Sequence, residues 1–162
     1  MRHLEIERKF LVKRPPTGWQ QRSSSLIVQG YFPMAGDDLE IRLRRVGTRH
    51  FITVKGGHGG RRLEEEIQIP RPTFQPLWPL TGAARIAKRR YKIPCGDHTL
   101  ELDIYRGSHR GLVTADVEFK SLRESLSFRR PDWLGREITG CRRYSNAALA
   151  CRHRLPRGVR RT

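Results

Sequence analysis

The sequence predicts an α+β protein that is mainly β, with eight antiparallel strands closed into a barrel and a few helices outside. Three observations carry that expectation. Glycine and proline divide the 162 residues into short segments of strand length, with few stretches long enough for a helix. Seven of the eight candidate segments set ionisable residues on one parity, which in an extended strand is one face. Most of the connections have the length of tight turns, which suits antiparallel neighbours, and closing eight strands removes both edges.

The first candidate, 4–12, places Glu5, Glu7 and Lys9 about 7 Å from one to the next on one face, with Leu4, Ile6 and Phe10 on the other. Residues 26–32 follow, and then 39–46, where Arg42 and Arg44 lie opposite Ile41 and Leu43. Gly47-Thr48 turns the chain into 50–55, which sets Lys55 opposite Ile52 and Val54. The loop Gly56-Gly57-His58-Gly59-Gly60 leads into 62–69, where Glu64 and Glu66 lie opposite Leu63 and Ile67 and Glu65 interrupts the apolar face. Prolines 70, 72, 76 and 79 frame a short helix over 74–80. Segment 85–93 pairs Lys88 with Arg90, and 99–105 sets Glu101 and Asp103 against Leu100, Leu102 and Ile104. The last, 112–119, sets Asp116 and Glu118 against Ala115, Val117 and Phe119. Beyond it, 121–127 reads as helical, 133–139 fits helix or strand, and 144–153 can be helical.

Length suits one domain with a short appendage. A net charge of +17 and a pI near 11.2 point to polyanionic company: nucleic acid, an anionic membrane surface or phosphate-rich small molecules. Cys95, Cys141 and Cys151 form no C-x-x-C pair and read as free thiols in a reducing compartment, so a cytoplasmic location is expected. The longest apolar runs are a few residues, which predicts no membrane helix and no secretory leader. The histidines, His3, His50, His58, His98, His109 and His153, lack the spacing of metal ligands. After Cys141 the chain carries seven arginines and no acid, the composition of a solvated basic tail or of a nucleic-acid contact.

The charged parity is almost purely Glu, Asp, Lys and Arg, whereas a solvated sheet face normally mixes in Ser, Thr, Asn and Gln. A solvated charged face remains one reading of these residues. The other is a barrel interior, whose charges must pair, bind metal or meet a highly charged ligand. Taking six inward bases from 33 and eight inward acids from 16 leaves 27 bases against 8 acids elsewhere, so the cationic excess lies outside that interior.

The ordered set Glu5-x-Glu7-x-Lys9, Gln29-Gly30-Tyr31, Arg42-x-Arg44, Thr53-Val54-Lys55-Gly56, Glu64-x-Glu66, Lys88-x-Arg90-Tyr91, Glu101-x-Asp103, Asp116-Val117-Glu118 and Trp133-Leu134-Gly135-Arg136-Glu137 resembles the CYTH family, the triphosphate tunnel metalloenzymes. The likeness is to its short single-domain bacterial members and covers about residues 1–146, leaving 147–162 as a basic extension, helical and then flexible. The resemblance implies an eight-stranded tunnel and metal-dependent hydrolysis of inorganic tripolyphosphate to pyrophosphate and phosphate. It implies Mg²⁺ or Mn²⁺ on Glu5, Glu7 and Glu118, with Asp116 as a helper, and phosphates cradled by Lys9, Arg42, Arg44, Lys55, Lys88 and Arg90. Tyr31 and Lys88 match a tyrosine–lysine pair that activates water. Glu64, Glu66, Glu101 and Asp103 would bind a second metal, orient the cations or hold the water. The family also contains adenylyl cyclases and nucleoside and thiamine triphosphatases, and a non-catalytic binder of polyphosphate stays open. Nucleic acid on the basic exterior is a less favoured partner, no membrane association is expected, and oligomeric state is left open.

Overall fold

The computed structural model describes residues 6–33, 39–56, 63–152 and 156. Its strands are β1 (Ile6–Val12), β2 (Ser24–Tyr31), β3 (Leu39–Val46), β4 (Arg49–Gly56), β5 (Leu63–Ile69), β6 (Arg85–Cys95), β7 (His98–Tyr105), β8 (Val113–Phe119) and β9 (Leu134–Glu137). The helices are α1 (Arg71–Leu77), α2 (Leu122–Ser127) and α3 (Asn146–Cys151). The strands form one sheet in the order β5-β4-β3-β2-β6-β7-β8-β1-β9, with antiparallel pairing throughout. Among the described residues no helix is long and apolar enough to cross a membrane.

The mainly β, antiparallel expectation holds, but two of its details are corrected. There are nine strands among the described residues, and the sheet does not close. The extra strand is the segment whose pattern fits helix or strand. It explains the open sheet, because β9 takes the edge of β1 that closure onto β5 would need. Phe10 pairs with Glu137 and Val12 with Leu134, and the Ile138 N–H continues the contact by donating to the Lys9 carbonyl at 2.8 Å. Gly135 permits this approach, since a Cβ there would sit 2.8 Å from the Leu11 carbonyl oxygen. At the other edge, the consecutive carboxylates Glu64, Glu65 and Glu66 of β5 discourage further strand pairing by their charge.

Period-two alternation gives the sheet two unlike faces. Outward residues Phe10, Val12, Leu100, Leu102, Ala115, Val117 and Phe119 pack with Leu134, Phe128 and Trp133, and burying each large side chain contributes about 2 kcal/mol. α2 begins beside this cluster with a side-chain cap: the Glu124 N–H donates to Ser121 Oγ at 3.1 Å, and Glu124 Oε2 in turn accepts from the N–H of Lys120, just before the cap, at 2.7 Å.

The inner face is ionic over much of its length and apolar at one end. There Tyr31, Ile86 and Tyr105, all of inward parity, bury with Leu112, Ile138, Tyr144, Leu149 and Ala150. α3 supplies the last two and packs across β6 and β2. Its first turn is capped by Ser145, whose Oγ accepts from the Ala148 N–H at 3.2 Å.

Gly30 sits where a helical turn, Trp78–Thr81, lies on β2. A Cβ at this position would be 2.5 Å from Thr81 Oγ1. Thr81 is pinned, donating to the Trp78 carbonyl and accepting from Arg85 Nε, both at 2.8 Å. Gly30→Ala is therefore expected to destabilise by roughly 1–3 kcal/mol, read as a fall in the midpoint of thermal unfolding; an unchanged midpoint would show that the contact yields freely.

Candidate active site

Alternation and register bring the ionisable residues of the inner face into two groups on either side of β2. In the first, Arg90 on β6 faces Asp103 on β7, Glu101 faces Asp116 on β8, and Asp116 faces Lys9 on β1. Arg90 grips Asp103 with two hydrogen bonds, Nε to Oδ1 and NH2 to Oδ2, each 2.7 Å. This is the paired geometry that makes arginine–carboxylate contacts strong. Lys88 Nζ donates to the same Asp103 Oδ2 at 2.6 Å. Arg90 also reaches Glu101 and, at 3.4 Å, Asp116, while Lys9 lies 2.6 Å from Asp116 and 3.7 Å from Glu7.

The second group lies on β3, β4 and β5. Lys55 is 2.6 Å from Glu64, Arg44 is 2.5 Å from Glu66, and Arg42 lies 3.4 Å from Glu64 and 3.9 Å from Glu66. Thr53 donates to Glu66 Oε2 at 2.9 Å. Between the groups β2 contributes uncharged polar side chains, with Gln29 Nε2 donating to the Tyr31 hydroxyl at 3.1 Å.

Burial sets the electrostatics. Lys88 is 1% exposed and Asp103 0%. Burial raises the Asp103 carboxyl, but Lys88 and Arg90 outweigh it and hold the group at about 2. Burial pulls the Lys88 ammonium down to about 8 against the attraction of Asp103. Lys9 goes the other way, because Asp116 and Glu7 overcome its desolvation. Glu7 is pushed up by burial and then by the negative charge of Asp116, with Glu118 adding to it. Burial also raises the Tyr31 hydroxyl well above its ordinary value, although Arg42 opposes this. Tyr31 in this state is a phenol.

Glu7, Lys9, Tyr31, Glu40 and Lys55 line a cavity of about 990 Å³ whose far wall runs from Ile138 through α3. β1 and β4 are well separated in strand order yet face one cavity, so the sheet is strongly curled. A second opening, of about 420 Å³, is bordered by Arg44, Glu66, Arg90 and Glu101.

The expected phosphate-binding cations thus all lie on the inner face, but they do not all border a cavity. Lys88 borders neither opening, and the hydrogen bonds described for it go to Asp103 and Asn146, not to Tyr31. Of the expected metal ligands, Glu7 and Glu118 are register partners and Asp116 adjoins Lys9, whereas Glu5 lies outside the described residues. Among the described residues no three acidic, histidine or cysteine side chains close round a point. The crowding of Glu7 by Asp116 and Glu118 is nonetheless the chemistry a hard divalent cation relieves, so this donor set fits such an ion.

Three contributors escape the sequence reading. Glu40, 4.0 Å from Arg42, shares the inward parity of Arg42 and Arg44 and was findable from alternation. Tyr105, two residues beyond Asp103, was findable in the same way, but Asn146 was not: the Tyr105 hydroxyl donates to Asn146 Oδ1 at 2.9 Å, tying α3 to the strand that carries Asp103.

The CYTH domain profile matches residues 3–144. The chain belongs to this family. It is 43% identical over 148 residues to an inorganic triphosphatase of Nitrosomonas europaea, covering 90% of this chain and 96% of that one. A second inorganic triphosphatase, of Acetivibrio thermocellus, is 34% identical, with coverage of 90% and 92%. The crystal structure of an inorganic triphosphatase superposes with a TM-score of 0.74 at 39% identity, covering 93% of this chain and 97% of its own.

Asp103→Ala would leave Lys88 buried beside Arg90 without its carboxylate and should cost about 3–5 kcal/mol in chemical denaturation. In the intact protein Asp103 binds its proton at about pH 2 when folded and near 3.8 when unfolded. The unfolded chain therefore takes up this proton first, so stability present above pH 4 is lost as pH falls towards 2. A stability curve flat across that interval would contradict the burial of a charged Asp103.

Proposed function

We propose that this protein is a metal-dependent triphosphatase that hydrolyses inorganic tripolyphosphate to pyrophosphate and phosphate. The observation that carries the proposal is the concentration of Lys9, Arg42, Arg44, Lys55, Lys88 and Arg90, with their carboxylates, on one curled inner face bordering a cavity. The named activity of the two CYTH relatives supports it. Phosphoryl transfer asks chiefly for positioning and neutralisation of negative charge, which such a face supplies.

Lys9 and Lys55 would receive the phosphate chain from the cavity, each exchanging part of its contact with a carboxylate for phosphate oxygens, while Arg42, which borders neither opening, would hold Glu64 and Glu66 from behind. Arg44 and Arg90 would meet it from the second opening. Water attacks the terminal phosphorus, the phosphoanhydride bond breaks, and pyrophosphate leaves with the electron pair. Glu7, Asp116 and Glu118, with Glu5, would hold Mg²⁺ or Mn²⁺, which when bound neutralises phosphate oxygens and acidifies a water. Tyr31 is the candidate for orienting the attacking water from the cavity wall. Its expected partner Lys88 would act from beneath, holding Asp103 and, through it, Arg90. Lys55, which shares the cavity wall with Tyr31, is the lysine placed to face substrate.

Phosphate release from tripolyphosphate should require Mg²⁺ or Mn²⁺ and stop on chelation; no release in either metal would overturn the reading. Tyr31→Phe is expected to lower kcat about 100-fold or more while leaving substrate binding within a few-fold. Lys55→Ala should instead raise KM and leave the thermal midpoint in place, which separates a substrate contact from a structural one.

A further inference from the structure

The inner face does not account for the +17 charge, and the outer face shows where part of it goes. β2, β4, β6 and α1 contain no aspartate or glutamate, and the Glu40 of β3 points inward. Register places His50, Arg45, Val28 and Ala87 side by side across four strands on the outside, and alternation adds Arg85 and Arg89 of β6 to the same face. Among the described residues no carboxylate pairs with Arg45, Arg71, Arg85 or Arg89, in contrast to the paired cations within.

α1 lies over this surface and encloses a groove of about 560 Å³ with the sheet, within the ~300–1,000 Å³ span of small-ligand sites. Its lining includes Arg45, Arg71, His50, Phe74, Gln75 and Trp78 and, among the described residues, no acidic one. Arg45 and Arg71 are exposed, and His50 and Phe74 are buried with their rings 4.6 Å apart. Phe74 stacks on Trp78 with centroids 5.2 Å apart, and the Arg85 guanidinium lies 4.5 Å from the Trp78 ring. The wall is therefore held rigid. Its chemistry is composite: an aromatic side, an amide and an imidazole able to meet a polar edge, and two guanidiniums at the rim that no described carboxylate pairs with.

We propose that this groove binds single-stranded nucleic acid, taking one splayed nucleotide with its base against the aromatic wall and its phosphates on Arg45 and Arg71. A bare inorganic phosphate chain would have no use for the apolar wall. A duplex would keep its bases stacked and out of reach. The cations continuing onto β6 favour a strand over a free nucleotide, because they extend the positive track beyond the volume one nucleotide fills.

The test is fluorescence anisotropy of a labelled 12-nucleotide single-stranded RNA of mixed sequence with the full chain. Binding is expected at 50 mM KCl and should weaken roughly 20-fold by 200 mM, the response for about three phosphate contacts on a single strand. The double variant Arg45→Glu, Arg71→Glu should bind at least tenfold more weakly at 50 mM while hydrolysing tripolyphosphate within twofold of the parent, which also reports that it is folded. Four results would overturn the proposal: no binding by the parent at 50 mM; equal binding by the variant; displacement of the RNA by equimolar tripolyphosphate; and competition by a polyphosphate of equal charge as effective as that by unlabelled RNA.

Discussion

The constraint on which the rest of this structure depends is the burial of Asp103 with its charge intact. A carboxylate sealed from water is tolerable only if cations neutralise it, and Lys88 and the fork of Arg90 do so from the neighbouring strand. The cations need Asp103 as much as it needs them. Their mutual requirement specifies the register of β6 on β7: a slip of β6 by one residue would turn Lys88 and Arg90 to the outer face and bring Arg89 inward, leaving Asp103 buried without either partner. Glu101 and Asp116 extend the network to β8, and Lys9 extends it to β1.

The same pairing prepares the inner face for an anion. A lysine or arginine already aimed and partly dehydrated by a carboxylate loses little further freedom when a phosphate oxygen approaches, so orientation is settled during folding rather than on binding. The uncharged β2 separates the two ionic groups and supplies Gln29 and Tyr31 between them. α3 fills the apolar end of the inner face and reaches the ionic part through Asn146, which accepts from Tyr105 and lies 3.5 Å from Lys88 Nζ. Helix packing and the charge network are thereby joined at one amide.

Charge is also partitioned across the sheet. Many acids of the chain serve the inner face, where they balance cations; few are left for the outside of β2, β3, β4 and β6. That asymmetry leaves one side of a thin sheet nearly neutral and the other strongly positive, with arginines held on aromatic and backbone contacts, as Arg85 is on Trp78.

Most of the strands and the identity of the ionic face were legible in the sequence, because alternation in a strand is local: Glu101 and Asp103 share a face whatever else the chain does. The turn at Gly47, with positive φ, was local too, because a glycine at a tight turn is read from its own neighbours. Closure of the barrel was not local. It depends on which strand reaches the edge of β1, and β9 does so from more than a hundred residues away, with Gly135 small enough to lie against Leu11. Nor could parity distinguish a lysine at the cavity wall, such as Lys55, from one sealed beneath the floor, such as Lys88, since both are simply inward. Alternation along single strands thus determined which side chains face inward, and tertiary packing decided which of them are buried, which are paired and which can meet a ligand, because those properties depend on neighbours distant in the chain.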